Sequence, residues 1–160
     1  MKILLVQTGF LGDVVLSTPL INNLRKLYPP AQISVMTTPL AAPLVASHPE
    51  VAQVITFDKR GADSGWPGLA RMARMLRAEG FAKVFSLHKS VRTAVLLRLA
   101  CIPERVGFAE AGASFLYTRT ARRSDLAHEV LRNLALLRTA GLEPSALNSS
   151  LVLSIPGEVQ

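Results

Sequence analysis

The sequence predicts an α/β domain in which a parallel sheet carries helices on both faces. Short apolar, β-rich segments alternate along the chain with longer segments whose apolar residues recur every three or four positions, and this alternation is typical of βαβ units. The chain has 160 residues, of which 49% are hydrophobic. That length corresponds to about one domain with a buried core of its own.

Five strands and five helices follow from these patterns. The strands are KILLVQ at 2–7, QISVM at 32–36, QVITF at 53–57, KVFSL at 83–87 and RVGF at 105–108. Helical periodicity predicts helices over 14–27, about 39–47, 67–79, 89–100 and 126–140. The loops at 58–66 and 109–125 are longer than the other connections, and loops of that length in a compact domain are often functional.

The end of the sequence predicts the start of another domain. Leu142-Glu143-Pro144 closes the last helix, and a β-like run at 151–153 begins shortly before Pro156-Gly157. We therefore expect residues 1–150 to form the domain and 151–160 to begin a linker to a further, carboxyl-terminal domain that the chain lacks. The alternative is a strand that returns to the edge of the sheet.

The net charge of +7, carried by 13 Arg and 5 Lys against 11 acidic residues, predicts an anionic partner: nucleic acid, a membrane surface or a phosphorylated substrate. The sequence has no long basic run, and its aromatic residues are not interleaved with Arg or Lys as a surface for stacking bases requires. We therefore expect no nucleic-acid partner.

Two further features of the sequence are its lack of a recognisable targeting signal and its single cysteine. No stretch approaches the roughly 18 uncharged apolar residues of a spanning helix, and the short apolar run after Lys2 has no small-residue cleavage site. These features predict a cytoplasmic protein. Cys101, the single cysteine, lies in the apolar segment AVLLRLACI and is predicted to be a buried thiol.

The residues that follow the strands are chemically uneven. Ligands of open α/β sheets bind beyond the carboxyl ends of the strands, where this sequence places two acids, one of them in the glycine loop, near several bases. Any single Lys or Arg there is as well explained by a solvated loop, whereas their convergence on one edge favours a ligand. The residues are Thr8, Gly9, Gly12 and Asp13 after the first strand, Asp58, Lys59 and Arg60 after the third, and His88, Lys89, Ser90 and Arg92 after the fourth.

The glycine loop TGFLGDVV at 8–15 fits neither common nucleotide motif. A dinucleotide fingerprint needs Gly-x-Gly-x-x-Gly and an acid after the second strand, and the Walker pattern needs Gly-Lys-Ser/Thr. Asp13 has two interpretations. It caps a helix, or, if the regular helix begins later at Ser17-Thr18-Pro19, it belongs to the loop as a chemical group.

Three segments resemble the amino-terminal half of the ADP-heptose:lipopolysaccharide heptosyltransferases, glycosyltransferase family nine. They are MKILLVQTGFLGDVVLSTPLINNLRKLYP, SLHKSVRTAVLLRLACIPERVGF and HEVLRNLALLRTAGL. The resemblance implies a GT-B architecture of two Rossmann-like domains facing a cleft. It also implies inverting, metal-independent transfer of heptose from ADP-heptose to the lipid-linked inner core of lipopolysaccharide, without a cofactor, at the cytoplasmic face of the inner membrane.

The resemblance also assigns roles to residues. Asp13 becomes the base for the acceptor hydroxyl, with Thr8, Gly9 and Gly12 in its loop. Basic residues hold the acceptor's anionic sugar, for which topology suggests Lys59, Arg60, Lys89 with Ser90, and Arg92. The role of His128 in the third segment stays open.

The carboxyl-terminal domain, which in these enzymes binds most of the ADP-sugar, is absent from the chain. We therefore expect this chain alone to be inactive and to bind ADP weakly. The alternative from another class is a noncatalytic module that binds phosphate or a phosphorylated sugar.

The segment WPGLARMARMLRAEG predicts contact with anionic lipid. It spaces three arginines three residues apart beside an apolar stripe, behind an aromatic residue, although a solvated helix face explains the same pattern. The arginines are Arg71, Arg74 and Arg77, the stripe is Leu69, Met72, Ala73 and Leu76, and the aromatic residue is Trp66.

Overall fold

The protein forms an α/β domain around one six-stranded parallel sheet. The computed structural model describes residues 1–122 and 133–140. The strands are β1 (Lys2–Val6), β2 (Gln32–Thr37), β3 (Gln53–Thr56), β4 (Lys83–Ser86), β5 (Glu104–Phe108) and β6 (Arg119–Ala121), in the spatial order β3-β2-β1-β4-β5-β6. All five neighbouring pairs run parallel. The predicted fold class and the five predicted strands are confirmed.

In the described part of the chain, five α-helices connect or flank the strands: α1 (Leu11–Leu16), α2 (Thr18–Leu27), α3 (Ala42–Ala46), α4 (Gly65–Glu79) and α5 (Val91–Leu99). Two 3-10 helices cover Ser114–Leu116 and Ala135–Ala140. The predicted helix 126–140 lies partly outside the described residues, and its described end is the tighter 3-10 form. The predicted strand at 151–153 lies outside them altogether. Within the described residues, no helix has the length and apolar character needed to cross a membrane.

The sheet separates two apolar clusters, because successive residues of a strand point to opposite faces. Ile3 and Leu5 of β1 pack on one face in a cluster that includes α2. Leu4 and Val6 pack on the other face, in a cluster built largely on α4 and α5. Helices therefore cover both faces of the sheet, as predicted.

The predicted helix 14–27 is in fact two helices that meet at Ser17. The Ser17 hydroxyl donates to the Val14 carbonyl at 2.6 Å, and the Thr18 hydroxyl donates to the Val15 carbonyl at 2.9 Å. Pro19, in the first turn of α2, has no N–H to extend the first helix. The later helix start at Ser17-Thr18-Pro19 is thus confirmed, while Asp13 lies in the first turn of the short preceding helix.

Helix α4 turns its apolar stripe inward. Leu69, Met72, Ala73 and Leu76 are buried against the sheet, whereas the three arginines of the same helix are exposed. This stripe belongs to the core and is not available to a lipid surface.

The expected burial of Cys101 is wrong. Its backbone has φ 56°, and its N–H bonds to the Arg98 carbonyl at 3.1 Å just beyond α5. A residue in the left-handed conformation commonly ends a helix. Cys101 does so with its thiol exposed, while the next residue, Ile102, is buried.

The loop after β5 packs back onto the sheet through Tyr117. A Cβ atom at Gly107 would lie 2.7 to 2.8 Å from three carbons of the Tyr117 ring, so the ring occupies space that only glycine leaves free. The Tyr117 hydroxyl donates to Ser86 Oγ at 3.1 Å at the end of β4. The loop is thereby attached to the edge of the sheet where ligands of this fold class bind.

Candidate functional site

A cavity of about 580 Å³ opens at the carboxyl edge of the sheet. It receives residues from the segments after β3, β2, β1 and β4, which are four adjacent strands. Its lining consists of Thr8, Gly9, Phe10, Leu11, Thr38, Pro39, Leu40, Ala41, Phe57, Asp58, Lys59, Arg60 and His88. The predicted site residues Thr8, Gly9, Lys59 and Arg60 therefore share one cavity.

Chemically the cavity has two parts. The segments after β1 and β2 contribute mostly apolar side chains, and two of these, Phe10 and Leu40, are 86% and 78% exposed. The segments after β3 and β4 contribute the polar residues Asp58, Lys59, Arg60 and His88, in which two basic side chains outnumber one acidic one. A ligand that fits both parts has an anionic group and an uncharged body.

Lys59 is the best placed cation of the cavity. It is partly buried, and its ammonium group donates to the Thr8 hydroxyl at 3.5 Å. Burial lowers the pKa of Lys59, and the neighbouring charges of Arg60 and Arg92 lower it further. Within residues 1–122 and 133–140 no carboxylate forms an ion pair with it. An anion bound here would relieve this repulsion between positive charges.

Asp13 does not line the cavity itself; it holds the glycine loop, of which Thr8 and Gly9 do line it. Its Oδ2 atom accepts a hydrogen bond from the Phe10 N–H at 3.1 Å, and a Cβ atom at Gly9 would approach that same oxygen to 3.0 Å. Among the described residues Oδ1 has no hydrogen-bond partner. Gly12 is exposed beside open space, since a Cβ there would meet nothing within 4 Å. The carboxylate thus caps with one oxygen and keeps the other available.

The remaining predicted residues do not line the cavity. Ser90 caps α5, because its hydroxyl accepts from the Thr93 N–H at 3.3 Å. Lys89 is exposed, and its carbonyl accepts from the Gly112 N–H at 2.9 Å. Both residues therefore have structural contacts in this domain, and their assignment to a ligand stays a prediction.

Arg92 fastens the loop after β3 to the start of α5. Its guanidinium donates to the backbone carbonyls of Asp63 at 3.1 Å and Gly65 at 2.9 Å, and its Cζ lies 5.9 Å from the centre of the Phe57 ring. Arg92 Nε is buried without a partner among the described residues. The side chain acts on the cavity through the loop that carries Lys59 and Arg60.

His88 lines the cavity and was left without a role by the sequence reasoning, although its position after β4 marked it. Its ring nitrogen Nδ1 lies 2.9 Å from the Thr93 hydroxyl. Burial lowers the pKa of His88 to about 4, and the charge of Lys59 acts in the same direction. The ring is therefore neutral near pH 7. His128 lies outside the described residues.

Two of the features expected at a lipid surface are exposed. Trp66 exposes 74% of its area, and the three arginines of α4 are exposed. Arg71 is also engaged within the domain, since it pairs with Asp63 at 3.1 Å and donates to the Ala62 carbonyl.

Comparison with known proteins connects this fold to one family. The model of glycosyltransferase family 9 (heptosyltransferase) matches residues 69–156, just over half of the chain. Lipopolysaccharide heptosyltransferase 2 of Salmonella typhimurium is 30% identical over 108 residues, which are 68% of this chain and 31% of that protein.

Solved structures agree over a larger part of the chain. A family 9 glycosyltransferase from Veillonella parvula matches with a TM-score of 0.83 and 26% identity, over 96% of this chain and 45% of that one. The ADP-heptose lipopolysaccharide heptosyltransferase II of Escherichia coli matches with a TM-score of 0.74 and 26% identity, over 98% of this chain and 47% of that one. The chain thus spans about a third of the curated relative and about half of each solved structure. It belongs to glycosyltransferase family 9, the heptosyltransferase family.

Proposed function

We propose that this chain is the acceptor-binding part of a glycosyltransferase that moves heptose from ADP-heptose to the inner core of lipopolysaccharide. Residues 1–150 would form the acceptor domain, and 151–160 would lead to a domain that binds the nucleotide sugar. Membership of the family supports the reaction class, and relatives from Salmonella typhimurium and Escherichia coli are lipopolysaccharide heptosyltransferases. The cavity at the carboxyl edge supports the choice of this domain for the acceptor.

The observation that carries the proposal is the divided role of the Asp13 carboxylate. Oδ2 is held by the Phe10 N–H, and Oδ1 has no hydrogen-bond partner within the described residues. In an inverting transfer the acceptor hydroxyl oxygen attacks the anomeric carbon of heptose, the bond from that carbon to the ADP phosphate oxygen breaks, and the hydroxyl proton must be removed. Asp13 would accept that proton, which is the work of a positioned general base.

The charge of the cavity supports binding of the acceptor's anionic sugar at this site. Lys59 and Arg60 contribute positive charge without an ion pair to a carboxylate in the described part of the chain. The apolar part, with Phe10 and Leu40, would contact the uncharged surface of the sugar. Charge-assisted hydrogen bonds to a carboxylate or phosphate are the strong contacts of such a site.

This domain offers few groups that would bind the donor, ADP-heptose. The glycine loop lacks both common nucleotide fingerprints, and a neighbouring domain would hold most of the ADP-sugar. We therefore expect the isolated chain to be inactive and to bind ADP weakly. Titration calorimetry on the isolated chain measures this, and tight, saturable ADP binding would overturn the division between the two domains.

Lys59→Met tests the acceptor site in the enzyme that carries this chain. The side chain keeps its apolar length and loses its charge, so the acceptor KM should rise about 10-fold to 100-fold while the donor KM changes little. Lys26→Met is the matched control, because Lys26 is exposed near the end of α2 and should leave both constants unchanged. Equal behaviour of the two variants would remove Lys59 from the acceptor site. Retained phosphate binding with no heptose transfer by the intact wild-type protein would support the noncatalytic alternative.

The location at the inner face of the membrane remains part of the proposal. A lipid-linked acceptor requires the domain to approach a membrane, and the exposed arginines of α4 offer positive charge for anionic headgroups at about 1 kcal/mol each. Burial of the apolar stripe leaves Trp66 as the exposed aromatic residue of that helix. Contact would therefore be largely electrostatic and reversible.

A further inference from the structure

His88 is a side chain of the cavity to which the proposed chemistry gives no task. It extends from the segment after β4 and lines the same cavity as Lys59 and Thr8. Within the described residues, its ring makes one hydrogen bond, between Nδ1 and the Thr93 hydroxyl at 2.9 Å. Nε2 has no hydrogen-bond partner within the described residues and is not a buried atom, so it is accessible to solvent.

The Thr93 contact indicates which ring nitrogen carries the proton. Thr93 is 2% exposed, and a buried hydroxyl needs an acceptor for its hydrogen. Within the described residues, His88 Nδ1 is the acceptor available to that hydroxyl. Thr93 therefore donates to Nδ1, and the neutral ring carries its hydrogen on Nε2.

The backbone of His88 is held as firmly as its ring. The Ser86 hydroxyl donates to the His88 carbonyl at 3.1 Å, and Tyr117 in turn donates to Ser86 at 3.1 Å. Ser86 and Tyr117 are both buried. A side chain fixed by contacts on its ring and its main chain presents Nε2 in one position, which lowers the entropic cost of binding.

We propose that His88 is a further substrate-binding residue, whose Nε2–H donates a hydrogen bond to a neutral oxygen, a hydroxyl, of the sugar in this cavity. The inference rests on the proposed acceptor site and deepens it. Lys59 recognises the anionic group of the sugar, and His88 distinguishes a hydroxylated ring from an unhydroxylated one. The low pKa of His88 supports this role, because a neutral imidazole adds no charge beside Lys59 and donates one hydrogen bond only.

Two probes of equal charge separate these contributions on the chain as described. Glucuronate is a six-membered sugar ring with a carboxylate and hydroxyls, and cyclohexanecarboxylate has a similar ring and the same charge without hydroxyls. Binding is measured by NMR titration. His88→Gln carries an amide N–H about as far as Nε2, whereas His88→Asn preserves the contact to Thr93 and falls short of the cavity.

We expect a loss of affinity for glucuronate only, and only in His88→Asn. His88→Asn should weaken glucuronate binding about fivefold to tenfold and leave cyclohexanecarboxylate binding unchanged, while His88→Gln restores most of the glucuronate affinity. In ¹⁵N spectra of the wild type, the His88 ring should carry hydrogen on Nε2, and that signal should shift on addition of glucuronate. Its assignment follows from its loss in His88→Asn.

Several results would overturn the proposal. They are an equal loss of affinity for both probes in His88→Asn, no loss of affinity for either probe, a ring hydrogen found on Nδ1, and no saturable binding of glucuronate to the wild type. Lys59→Met tests the underlying acceptor site separately, since it should weaken both probes alike. If Lys59→Met leaves both affinities unchanged while the His88 variants behave as expected, Lys59 does not bind the anionic group. The hydrogen bond from His88 to the sugar hydroxyl is then still supported.

Discussion

Asp13→Asn separates the structural role of Asp13 from its chemical one. The Asn side-chain oxygen can accept the Phe10 N–H that Asp13 Oδ2 now accepts at 3.1 Å, so the hydrogen bond at the start of α1 is kept. The amide fits the same space beside Gly9. What the substitution removes is the negative charge and the ability of the free oxygen to take a proton.

The structure sets the expected sizes of the two effects. Helix α1 has only six residues, so losing a charge near its start should cost no more than about 0.3–1 kcal/mol, a fall of roughly 1–4 °C in Tm. Loss of a general base should lower kcat about 100-fold or more, equivalent to at least about 2.7 kcal/mol of transition-state stabilisation. Catalysis therefore suffers more than folding.

The assay uses the enzyme that carries this chain, with ADP release measured at saturating acceptor and Tm measured on the same preparation. Asp13→Ala is the control that removes cap and base together, and it should lose both stability and activity. If Asp13→Asn keeps kcat within a few-fold of the wild type, Asp13 is a cap and the assignment of the base is wrong. A large fall in Tm would instead show that an amide oxygen cannot replace Asp13 Oδ2 as the acceptor of the hydrogen bond in the loop.

Three further predictions follow from contacts described above. Arg92→Ala should raise the acceptor KM far more than the donor KM and lower Tm by several degrees, because its guanidinium anchors the loop that carries Lys59; equal changes in both KM values would refute the acceptor-side role, and an unchanged Tm would refute the anchoring. Stability should decrease as pH falls from about 6.5 toward 4, since burial holds the folded-state pKa of His88 at about 4 and lowers that of His48, so the unfolded chain binds more protons in this range. After a discount for partial exposure of the ring, His88 accounts for about 1–2 kcal/mol of the loss in unfolding free energy. Thermal melts in which His88→Gln shows the same dependence on pH as the wild type would disprove this contribution. Replacing the three arginines of α4 by Gln should abolish sedimentation with anionic vesicles at low salt, and unchanged sedimentation would exclude that face as the lipid contact; they are Arg71, Arg74 and Arg77.

Most strands of the sheet could be predicted from the sequence, because buried parallel strands appear as continuous apolar runs. Strand β6 was missed for the opposite reason. It has three residues, Arg119–Ala121, of which two are exposed at the edge of the sheet, so no apolar run marks it. Cys101 was misjudged because an apolar sequence neighbourhood does not reveal a left-handed backbone at a helix end.

For the site, topology predicted which loops meet and could not predict how each side chain is used. Thr8, Gly9, Lys59 and Arg60 do share the cavity, since the carboxyl ends of adjacent strands converge. The position of Arg92 one turn after β4 predicted a ligand contact, but its bonds to the carbonyls of Asp63 and Gly65 join positions more than 25 residues apart, which no local pattern reveals. Only the folded chain shows that such a cation already has acceptors.

The missing side chain of Gly107 has a consequence for protein engineering. Any larger residue there would meet the Tyr117 ring, and Tyr117 reaches His88 through Ser86. A randomised library aimed at new sugar acceptors would normally sample the cavity lining and leave a buried strand glycine untouched. Pairing a small residue at 117 with substitutions at 107 offers a way to tilt the imidazole without altering any residue that lines the cavity. Selectivity could then be tuned from behind the binding surface.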